Sequence, residues 1–295
     1  MKILLIGKNG QVGGELNKLL GRLGTLVAFT REQLDFSKLD SIEPIILDTR
    51  PDIIINAAAY TAVDKAEEEP ELAMTINGVA PGILAKTAKI VGAGLIHYST
   101  DYVFDGHSNI AYREENPTCP LSVYGKSKLA GEKAIGEVQI PYLIFRTGWI
   151  YSLHGKSFLK TIKTMAEKKD KLTIVNDQIG SPTWARSIAF ATHQILEQCL
   201  QKKWLKQNNP SLSGIFHLTC QGKTSWHGFA KEILSLSGME STALIPIPTS
   251  DYPTPANRPL FSLLCNDKIK NTFNIEPVSI HISEPTRLGM ISYDV

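Results

Sequence analysis

Two side chains whose types and spacing suit proton transfer lie in the segment SVYGKSKLAGE, which covers residues 122–132. Tyr124 and Lys128 are four positions apart, so on a helix both would face the same side. A free tyrosine has a pKa of about 10, and a neighbouring ammonium lowers that pKa by favouring the phenolate. The pair therefore predicts a proton donor that works near neutral pH, although such spacing also occurs on solvated helix faces.

Thr100 is predicted to lie beside this pair. It ends the apolar run AGLIHYST, residues 93–100, which is typical of a buried strand. A hydroxyl at that position can donate a hydrogen bond to a substrate carbonyl while negative charge develops on its oxygen. Thr100, Tyr124 and Lys128 together predict carbonyl reduction, in which a nicotinamide gives the hydride and Tyr124 gives the proton.

A glycine-rich turn provides the place for that nicotinamide. The string GKNGQVG puts Gly7, Gly10 and Gly13 between the first predicted strand and the first predicted helix. In dinucleotide folds such glycines permit a sharp turn, close approach of the backbone to a pyrophosphate, and tight packing of helix on strand. Because of its position in the chain, the turn predicts dinucleotide binding rather than a tight connection without a ligand.

The residues after the second predicted strand bear on which dinucleotide binds. An acid that contacts a ribose 2′-hydroxyl is usual there, but this sequence has Thr30 and Arg31. Arg31 can hold a 2′-phosphate, which favours NADPH, or it can be a solvated loop residue. Glu32 is adjacent, so NADH remains the alternative. After the third strand, the small residues 57–59 suit a backbone that a ligand approaches closely.

Strands and helices alternate through the first half of the chain and must position these residues. Apolar runs predict buried strands at 2–7, 25–30, 51–59, 93–100 and 141–151. Helical spacing predicts helices at 11–24, at 40–50 with Asp40 as N-cap, at 71–92 with a break near Pro81, and around Tyr124. Continuous apolar strands separated by helices predict an α/β fold: a Rossmann-like doubly wound parallel sheet, with ligands at the carboxyl ends of the strands.

The second half is less regular and predicts a smaller C-terminal α/β substrate domain. The predicted limits are 1–148 for an NADP-binding Rossmann domain, with some later segments packing back onto it, and 149–295 for the mainly substrate-binding domain. A helix after the string GSPT is expected to be capped by Ser181 or Thr183, and the density of prolines predicts a loop over 245–259.

The composition is that of an ordinary globular protein: 295 residues, 43% hydrophobic and 20% charged, with a formal net charge of +2. No block of Lys and Arg is long enough for a nucleic-acid surface, and no apolar run approaches the roughly 20 residues of a membrane helix. The N-terminal apolar run is too short for a signal peptide, which predicts a cytoplasmic protein. The four cysteines lack C-x-x-C spacing and the seven histidines lack H-x-x-x-H spacing, so we expect reduced thiols and no zinc site.

Six strings in a fixed order resemble one enzyme family. They are NAAAYTAVDKAE, HYSTDYVFDG, VYGKSKLAGE, RTGWIY, NDQIGSPT and YPTPANRP. With the glycine turn they are similar to the extended short-chain dehydrogenase/reductase superfamily and, within it, to the dTDP-4-dehydrorhamnose reductases. The resemblance implies NADPH-dependent reduction of the C4 ketone of dTDP-4-dehydro-L-rhamnose to dTDP-L-rhamnose, which serves bacterial cell-wall or lipopolysaccharide synthesis.

The resemblance also implies site residues. The family's catalytic residues match Thr100, Tyr124 and Lys128, and the last two would also contact the nicotinamide ribose. Its other cofactor contacts match Gly10, Gln11, Val12, Asp35, Phe36, Ala59, Tyr60, Thr61 and Tyr98. Its sugar contacts match Thr100, Asp101, Tyr124 and Trp149.

Trp149 and Arg258 each allow a second interpretation. Trp149 can form a wall of the sugar site, which we favour, or close the core between the two domains. Arg258 can bind the diphosphate of the substrate or hold its own loop at the surface. Some family members form metal-bridged dimers, and Glu15 is present here, but Arg186 occupies a position where a carboxylate is required. We therefore predict no metal, and either a monomer or a homodimer.

Two other functions remain open. One is a reductase of another nucleotide-4-ketosugar, because the shape of a pocket cannot be read from these strings. The other is a regulatory subunit of methionine adenosyltransferase, which has a similar fold and binds NADP without evident reductase activity. The intact Thr100, Tyr124 and Lys128 argue against the second.

Overall fold

The computed structural model describes residues 1–207, 212–276 and 278–279. Its strands are β1 (Lys2–Ile6), β2 (Thr25–Phe29), β3 (Ile53–Asn56), β4 (Gly94–Thr100), β5 (Tyr142–Thr147), β6 (Ile150–Tyr151), β7 (Lys171–Val175), β8 (Ile179–Gly180), β9 (Thr183–Trp184), β10 (Gly214–His217), β11 (Thr224–Ser225) and β12 (Ala243–Ile247). Six of them form a parallel sheet with the order β10-β5-β4-β3-β1-β2. Every residue of β3 and β4 is buried, which explains their continuous apolar character.

Helices cover both faces of this sheet. They are α1 (Gln11–Leu19), α2 (Ile42–Thr49), α3 (Pro70–Met74), α4 (Ala80–Val91), α5 (Val123–Gly136), α6 (Phe158–Ala166), α7 (Ala185–Gln201), α8 (Trp204–Gln207), α9 (Trp226–Leu236) and α10 (Asp267–Phe273). The apolar core on one face is formed with α1, α7 and α10, and the core on the other face with α2, α4 and α5. The predicted Rossmann-like α/β fold is confirmed, and in folds of this kind ligands bind where the strand order reverses, which is beside β1 in this sheet.

The cap predicted for α2 is wrong because a short 3₁₀ turn, Leu39–Ser41, precedes the helix. Asp40 lies inside that turn, and Ser41 takes the N-cap position without a side-chain hydrogen bond. The predicted break near Pro81 has a structural counterpart, since a π-helical turn, Thr75–Val79, joins α3 to α4. Pro81 lies in the first turn of α4, where a missing N–H is tolerated.

The cap predicted for α7 is also wrong. The helix begins after Trp184, and Thr183 belongs to β9, which pairs with β6. The Ser181 hydroxyl donates to the Cys220 carbonyl at 2.6 Å, and the Thr183 hydroxyl donates to the Ser181 carbonyl at 2.9 Å. Both hydroxyls therefore serve the segment before the helix rather than its first turn.

The predicted loop over 245–259 begins as a strand. β12 pairs in parallel with β7, and Pro246 is opposite Ile174. Proline lacks the N–H of a ladder hydrogen bond, but β12 belongs to a two-stranded sheet and so has a strand on one side only. Proline is tolerated in such an edge strand.

Elements after residue 148 serve both parts of the fold. β10 adds a strand beside β5, and α7 packs against α1. A separate apolar cluster joins α6, β7 and α9, with Ile162, Leu172 and Phe229 among its buried residues. The domain limits 1–148 and 149–295 stay a prediction. The four cysteines all lie in described segments and are free thiols.

The helices of the described segments are not of the membrane-spanning kind. None of these helices combines the length and the apolar composition needed to cross a bilayer.

A buried ion pair fastens α5 to the sheet. Arg146 of β5 donates two hydrogen bonds to the Glu132 carboxylate of α5, with an Nη2–Oε2 distance of 2.7 Å and an Nε–Oε1 distance of 3.0 Å. The two side chains are 3% and 1% exposed, respectively. The Arg146 guanidinium also lies 5.2 Å from the centre of the Phe104 ring. Two parallel charge-assisted hydrogen bonds of this kind fix both the position and the rotation of α5.

Glu132→Gln would leave the buried Arg146 guanidinium without its counterion. We expect the free energy of unfolding to fall by about 3–5 kcal/mol, as measured by urea denaturation. Lys65→Ala is the control, because it breaks the exposed Lys65–Glu69 pair and should change the free energy by less than about 1 kcal/mol. A loss in Glu132→Gln as small as the control's would show that the pair does not hold the helix.

Candidate active site

The glycine-rich turn has the geometry that close approach of a ligand requires. Gly7 has a φ of +88°, and a Cβ there would lie 2.8 Å from the Ala58 nitrogen and 2.9 Å from the Ala57 carbonyl carbon. A Cβ at Gly13 would overlap the Gly7 carbonyl oxygen. A side chain at either position would therefore force apart β1, α1 and the loop after β3.

The start of α1 fits a phosphate group. Gly10 is the N-cap and gives no side-chain hydrogen bond to the first N–H groups, and the first turn contains no acidic residue. The Gln11 Oε1 atom is buried and has no hydrogen-bond partner within the described segments. Uncapped N–H groups at the positive end of a helix favour negative charge, whereas Gln11 Oε1, which can only accept, suits a hydroxyl or amide donor of the same ligand. With Val12 buried beneath, the turn fits a dinucleotide.

The segment after β2 presents a cation to solvent. The Arg31 side chain is 74% exposed, and its Nε atom lies 3.7 Å from Asp35 Oδ1. A hydrogen bond from the Ser37 N–H, with help from the Arg31 charge, lowers the pKa of the Asp35 carboxyl. Phe36 is buried in the same apolar cluster as residues of α2. Arg31 is thus available to an anion, whereas Phe36 supports the segment from beneath.

Asn77, in the π-helical turn, holds the loop after β3. Its Oδ1 accepts from the Tyr60 N–H at 2.9 Å, and its Nδ2 donates to the Tyr60 carbonyl at 3.0 Å. Nδ2 also donates to the Ser127 hydroxyl of α5 at 3.1 Å. Ala59 and Thr61, on either side of Tyr60, are exposed. The loop predicted to contact the cofactor is therefore tied to α5 through the Asn77 side chain.

The N-terminus of α5 is fixed by two acceptors. The Ser122 hydroxyl accepts the Gly125 N–H at 3.2 Å, and the Glu67 carboxylate accepts the Val123 N–H at 2.8 Å. Tyr124 follows in the first turn, and its ring meets Tyr102 edge-to-face with centres 5.8 Å apart. The phenol is thereby set beside the end of β4.

Thr100, Asp101 and Tyr124 meet at that end. Thr100 Oγ1 accepts the Tyr102 N–H and donates to Asp101 Oδ1, each at 3.1 Å. Burial raises the pKa of the Tyr124 phenol to about 12; a hydrogen bond with Thr100 opposes the rise, and the Asp101 charge adds to it. The pKa shift is opposite to the lowering that was expected from Lys128. A phenol of this kind keeps its proton at neutral pH and so suits a proton donor.

Asp101 is a buried carboxyl with an open acceptor. The residue is 2% exposed, and its Oδ2 atom has no hydrogen-bond partner in the described part of the chain. Burial raises its pKa to about 6, although hydrogen bonds from neighbouring hydroxyl groups oppose the rise. A buried acceptor without a partner, close to Tyr124, suits a ligand hydroxyl.

Lys128 is buried against β4, one helical turn from Tyr124. Its Nζ atom donates to the Tyr98 carbonyl at 2.6 Å and lies 3.2 Å from His97 Nε2. Burial lowers the pKa of Lys128 to about 8, and the Glu132 charge opposes the decrease. The lysine is therefore held inside the site by β4 rather than at the protein surface.

Tyr98 and Trp149, both predicted ligand contacts, are engaged with other side chains. The Tyr98 hydroxyl hydrogen-bonds the Thr192 hydroxyl of α7 at 2.8 Å, and the residue is 8% exposed. Trp149 has a φ of +52° and stacks on Trp226, with ring centres 3.6 Å apart. Trp149 also packs against the apolar cluster of α6 and α9, which lies within the second half of the chain, so closure of a core between the two domains stays a prediction. The place of Trp149 in a sugar wall also stays a prediction.

Arg258 pairs with Asp64 of the loop after β3. The Nη1–Oδ1 distance is 2.9 Å and the Nη2–Oδ2 distance is 2.7 Å, while Nη1 also donates to the Thr254 hydroxyl at 2.6 Å. The hydrogen bond from Arg258 lowers the pKa of Asp64. The pair ties the proline-rich segment to the large sheet, which supports the loop-holding interpretation. Binding of a diphosphate by Arg258 stays a prediction.

The sequence patterns do not single out four polar residues of the site: Asn56, His97, Asn77 and Asp64. Asn56 and His97 lie within apolar strand runs, and that is a usable signal, because a polar side chain in a buried strand needs a partner. Asn77 and Asp64 carry no such signal, since nothing in their spacing shows which groups the fold brings near them.

The residues discussed for a metal-bridged dimer have other contacts. Within the described segments, no group of three or more His, Cys, Asp or Glu side chains is arranged to hold a metal. The Arg186 guanidinium lies over the Trp184 and Phe190 rings, 5.7 Å from each centre, and Glu15 Oε1 lies 3.2 Å from Lys18 Nζ. The expectation of no metal stays a prediction.

Comparison with known proteins gives consistent matches. Residues 1–283 match the family model described as RmlD substrate binding domain. The chain is 44% identical over 283 residues to a dTDP-4-dehydrorhamnose reductase of Burkholderia thailandensis, with 94% of each chain covered. The crystal structure of a dTDP-4-dehydrorhamnose reductase from Clostridium acetobutylicum is 37% identical with a TM-score of 0.85, covering 94% of this chain and 95% of that one. The enzyme of the same name from Bacillus anthracis, in complex with NADP, is 32% identical with a TM-score of 0.84 and the same coverage.

Asp101→Asn should change how stability depends on pH. The folded-state pKa of Asp101 is about 6, above the ordinary value of 3.8. The folded state therefore favours the protonated carboxyl, and that contribution to stability is complete below the ordinary pKa and is lost as the pH rises through about 6. Relative to the variant, the wild type should lose about 2 kcal/mol of unfolding free energy between about pH 4 and pH 7.

Urea denaturation of both proteins across this pH range measures the difference. Asp40→Asn, at an exposed carboxylate, is the control and should follow the wild type at every pH. A difference between Asp101→Asn and the wild type that stays constant with pH would contradict the raised pKa.

Proposed function

We propose that this chain, which belongs to the dTDP-4-dehydrorhamnose reductase family, reduces the C4 ketone of dTDP-4-dehydro-L-rhamnose to dTDP-L-rhamnose with NADPH. Family membership follows from the match along almost the whole chain. The observation that carries the mechanism is the contact of Tyr124 with Thr100 at the end of β4, with Lys128 buried one turn further along the same helix, in a sheet that also carries a dinucleotide turn. That combination suits the reduction of a ketone.

The cofactor would be held at the turn and at the ends of β2 and β3. The backbone from Gly10 to Val12 would receive the pyrophosphate, and Arg31 would receive the 2′-phosphate that distinguishes NADPH from NADH. The exposed backbone at Ala59 and Thr61 would line the cofactor from the β3 side. When bound, NADPH supplies the hydride for C4 of the sugar.

Tyr124 donates its proton to the C4 oxygen as the carbonyl becomes an alcohol. Its pKa of about 12 keeps the phenol protonated at neutral pH, as the reducing direction requires. Thr100 orients the phenol, and its own hydrogen points to Asp101 Oδ1. For Thr100 to donate to the substrate oxygen, this hydrogen must turn away from Asp101. Asp101 Oδ2 is then an acceptor for a sugar hydroxyl.

Lys128 acts after the proton has left. The ammonium form stabilises the phenolate of Tyr124, because opposite charges one helical turn apart attract strongly in a site with little water. With a pKa of about 8, Lys128 is mostly ammonium at neutral pH and loses its charge in mildly alkaline solution. The product, dTDP-L-rhamnose, would serve cell-wall or lipopolysaccharide synthesis in the cytoplasm of a bacterium.

Tyr124→Phe removes the proton donor and keeps the ring. We expect NADPH oxidation with dTDP-4-dehydro-L-rhamnose to slow by about 10²–10⁴-fold, the usual contribution of a positioned acid, while the Kd for NADPH changes little. Tyr142→Phe is the matched control, because this half-buried tyrosine lies at the start of β5, away from the carboxyl ends. An unchanged rate in Tyr124→Phe would contradict its role, and wild-type activity only with a GDP-linked ketosugar would contradict the substrate.

Arg31→Ala tests the choice of cofactor. We expect kcat/KM for NADPH to fall about tenfold or more, equivalent to about 1.4 kcal/mol, while kcat/KM for NADH stays the same. Lys38→Ala, at a nearby exposed cation, is the control and should alter neither value. An equal loss with both cofactors would show that Arg31 does not contact the 2′-phosphate.

A further inference from the structure

A line of hydrogen bonds leads from the loop after β3 to the catalytic lysine. The Ala58 N–H donates to Asn56 Oδ1 at 3.1 Å, and Asn56 Nδ2 lies 3.0 Å from His97 Nδ1. His97 Nε2 lies 3.2 Å from Lys128 Nζ, which also donates to the Tyr98 carbonyl at 2.6 Å. Asn56 and His97 are each 1% exposed, so bulk solvent does not reach either side chain.

The donors and acceptors along this line can be arranged in one way only, and the Ala58 N–H determines it. A backbone N–H can only donate, so the Asn56 atom beside Ala58 must be the amide oxygen. The amide nitrogen therefore faces His97 Nδ1, and Nδ1 must be the acceptor. Burial, together with the nearby Lys128 charge, lowers the pKa of His97 well below its usual value, so the imidazole is neutral. Its one proton is then on Nε2.

This tautomer determines what the lysine meets. The His97 Nε2–H group points at Lys128 Nζ, and an ammonium offers only donors. The neutral amine, in contrast, has a lone pair that accepts this hydrogen while one amine hydrogen goes to the Tyr98 carbonyl. The contact therefore favours the amine form and holds Nζ in one place. The other groups near Lys128 are Tyr124 and Glu132 on its own helix, and the Glu132 carboxylate is committed to Arg146 of β5.

We propose that His97 is a positioning residue that acts through Lys128: its Nε2–H, oriented by Asn56, holds Nζ against β4 and makes the lysine easier to deprotonate. The consequence for the reaction rests on the proposed function, in which Lys128 stabilises the phenolate of Tyr124. Under that mechanism, His97 sets the pH above which the reaction slows. The direction and the tautomer depend only on the hydrogen bonds and hold whatever the chain reduces.

Asn56→Asp should reverse the donors and acceptors along this line of hydrogen bonds, because it removes the Nδ2 donor that faces His97. A carboxylate cannot donate to His97 Nδ1, so Nδ1 takes the proton and Nε2 becomes an acceptor for the Lys128 ammonium. His97→Gln tests the same idea without an added charge, because the amide oxygen of the introduced side chain can accept from the ammonium. His217→Gln is the matched control, since His217 is equally buried on β10 of the same sheet, with β5 between it and β4, and contacts neither Asn56 nor Lys128.

Nitrogen and carbon NMR of the full chain with labelled histidine and lysine measures the tautomer of His97 and the titration of Lys128, assigned with Lys128→Arg. We expect the Nε2–H tautomer in the wild type and in His217→Gln, and Nδ1–H in Asn56→Asp. We expect the Lys128 midpoint to rise by about one pH unit or more in Asn56→Asp and His97→Gln. An Nδ1–H tautomer in the wild type, which needs no variant to fold, would overturn the inference, as would unchanged midpoints.

The pH profile of kcat/KM for NADPH oxidation supplies the second readout. Its alkaline limb should move upward with the Lys128 midpoint in both variants and stay in place in His217→Gln. If the Lys128 midpoint moves in an active variant while the alkaline limb of its kcat/KM profile stays fixed, the role of His97 in the reaction is overturned. Midpoints that move in a chain without ketosugar reductase activity would support the hydrogen-bond line and refute the proposed function instead.

Discussion

The seating of α5 on the sheet is the constraint on which the rest of the site depends. The buried face of this helix is mostly polar or small rather than apolar: Gly125, Ser127, Lys128, Gly131 and Glu132 are buried along it, with Ile135. Apolar burial therefore contributes less than usual to its position. Hydrogen bonds and an ion pair position the helix instead: the Glu67 carboxylate accepts at its first turn, and the Arg146 guanidinium binds it nearer the C-terminal end. Because such bonds tolerate little displacement, Tyr124 and Lys128 are held in one register with β4.

Burial acts on the three titratable groups of the site in the same sense. It raises the pKa values of Tyr124 and Asp101 and lowers the pKa of Lys128, so each group is shifted toward its neutral form. The protein thus keeps a proton on the acid that must give one away. At neutral pH the Tyr124 phenol is neutral, whereas Asp101 and Lys128 still carry most of their charge, and the exclusion of water strengthens the interactions of these charges with the reacting groups.

Much of the fold could be predicted because its signals are local. Apolar runs and the glycine spacing identify β1, α1 and the strands up to β5, and Tyr124 and Lys128 follow from helical periodicity. The cap of α7 could not be predicted, because Ser181 and Thr183 bond to backbone groups that only the folded chain brings near. The same reason applies to Asn77 and Asp64. The shift in the pKa of Tyr124 was predicted in the wrong direction, since spacing shows a nearby lysine but not the depth of burial.

Pro246 has a consequence beyond the pairing of β12 with β7. A strand with one unpaired side presents backbone groups that another polypeptide can add to, and exposed edges of this kind promote intermolecular sheet growth. Pro246 and Pro248 carry no N–H, so this edge lacks donors at alternate positions. The prolines that make β12 look like a loop in the sequence therefore disfavour the addition of another strand to that edge of the folded protein.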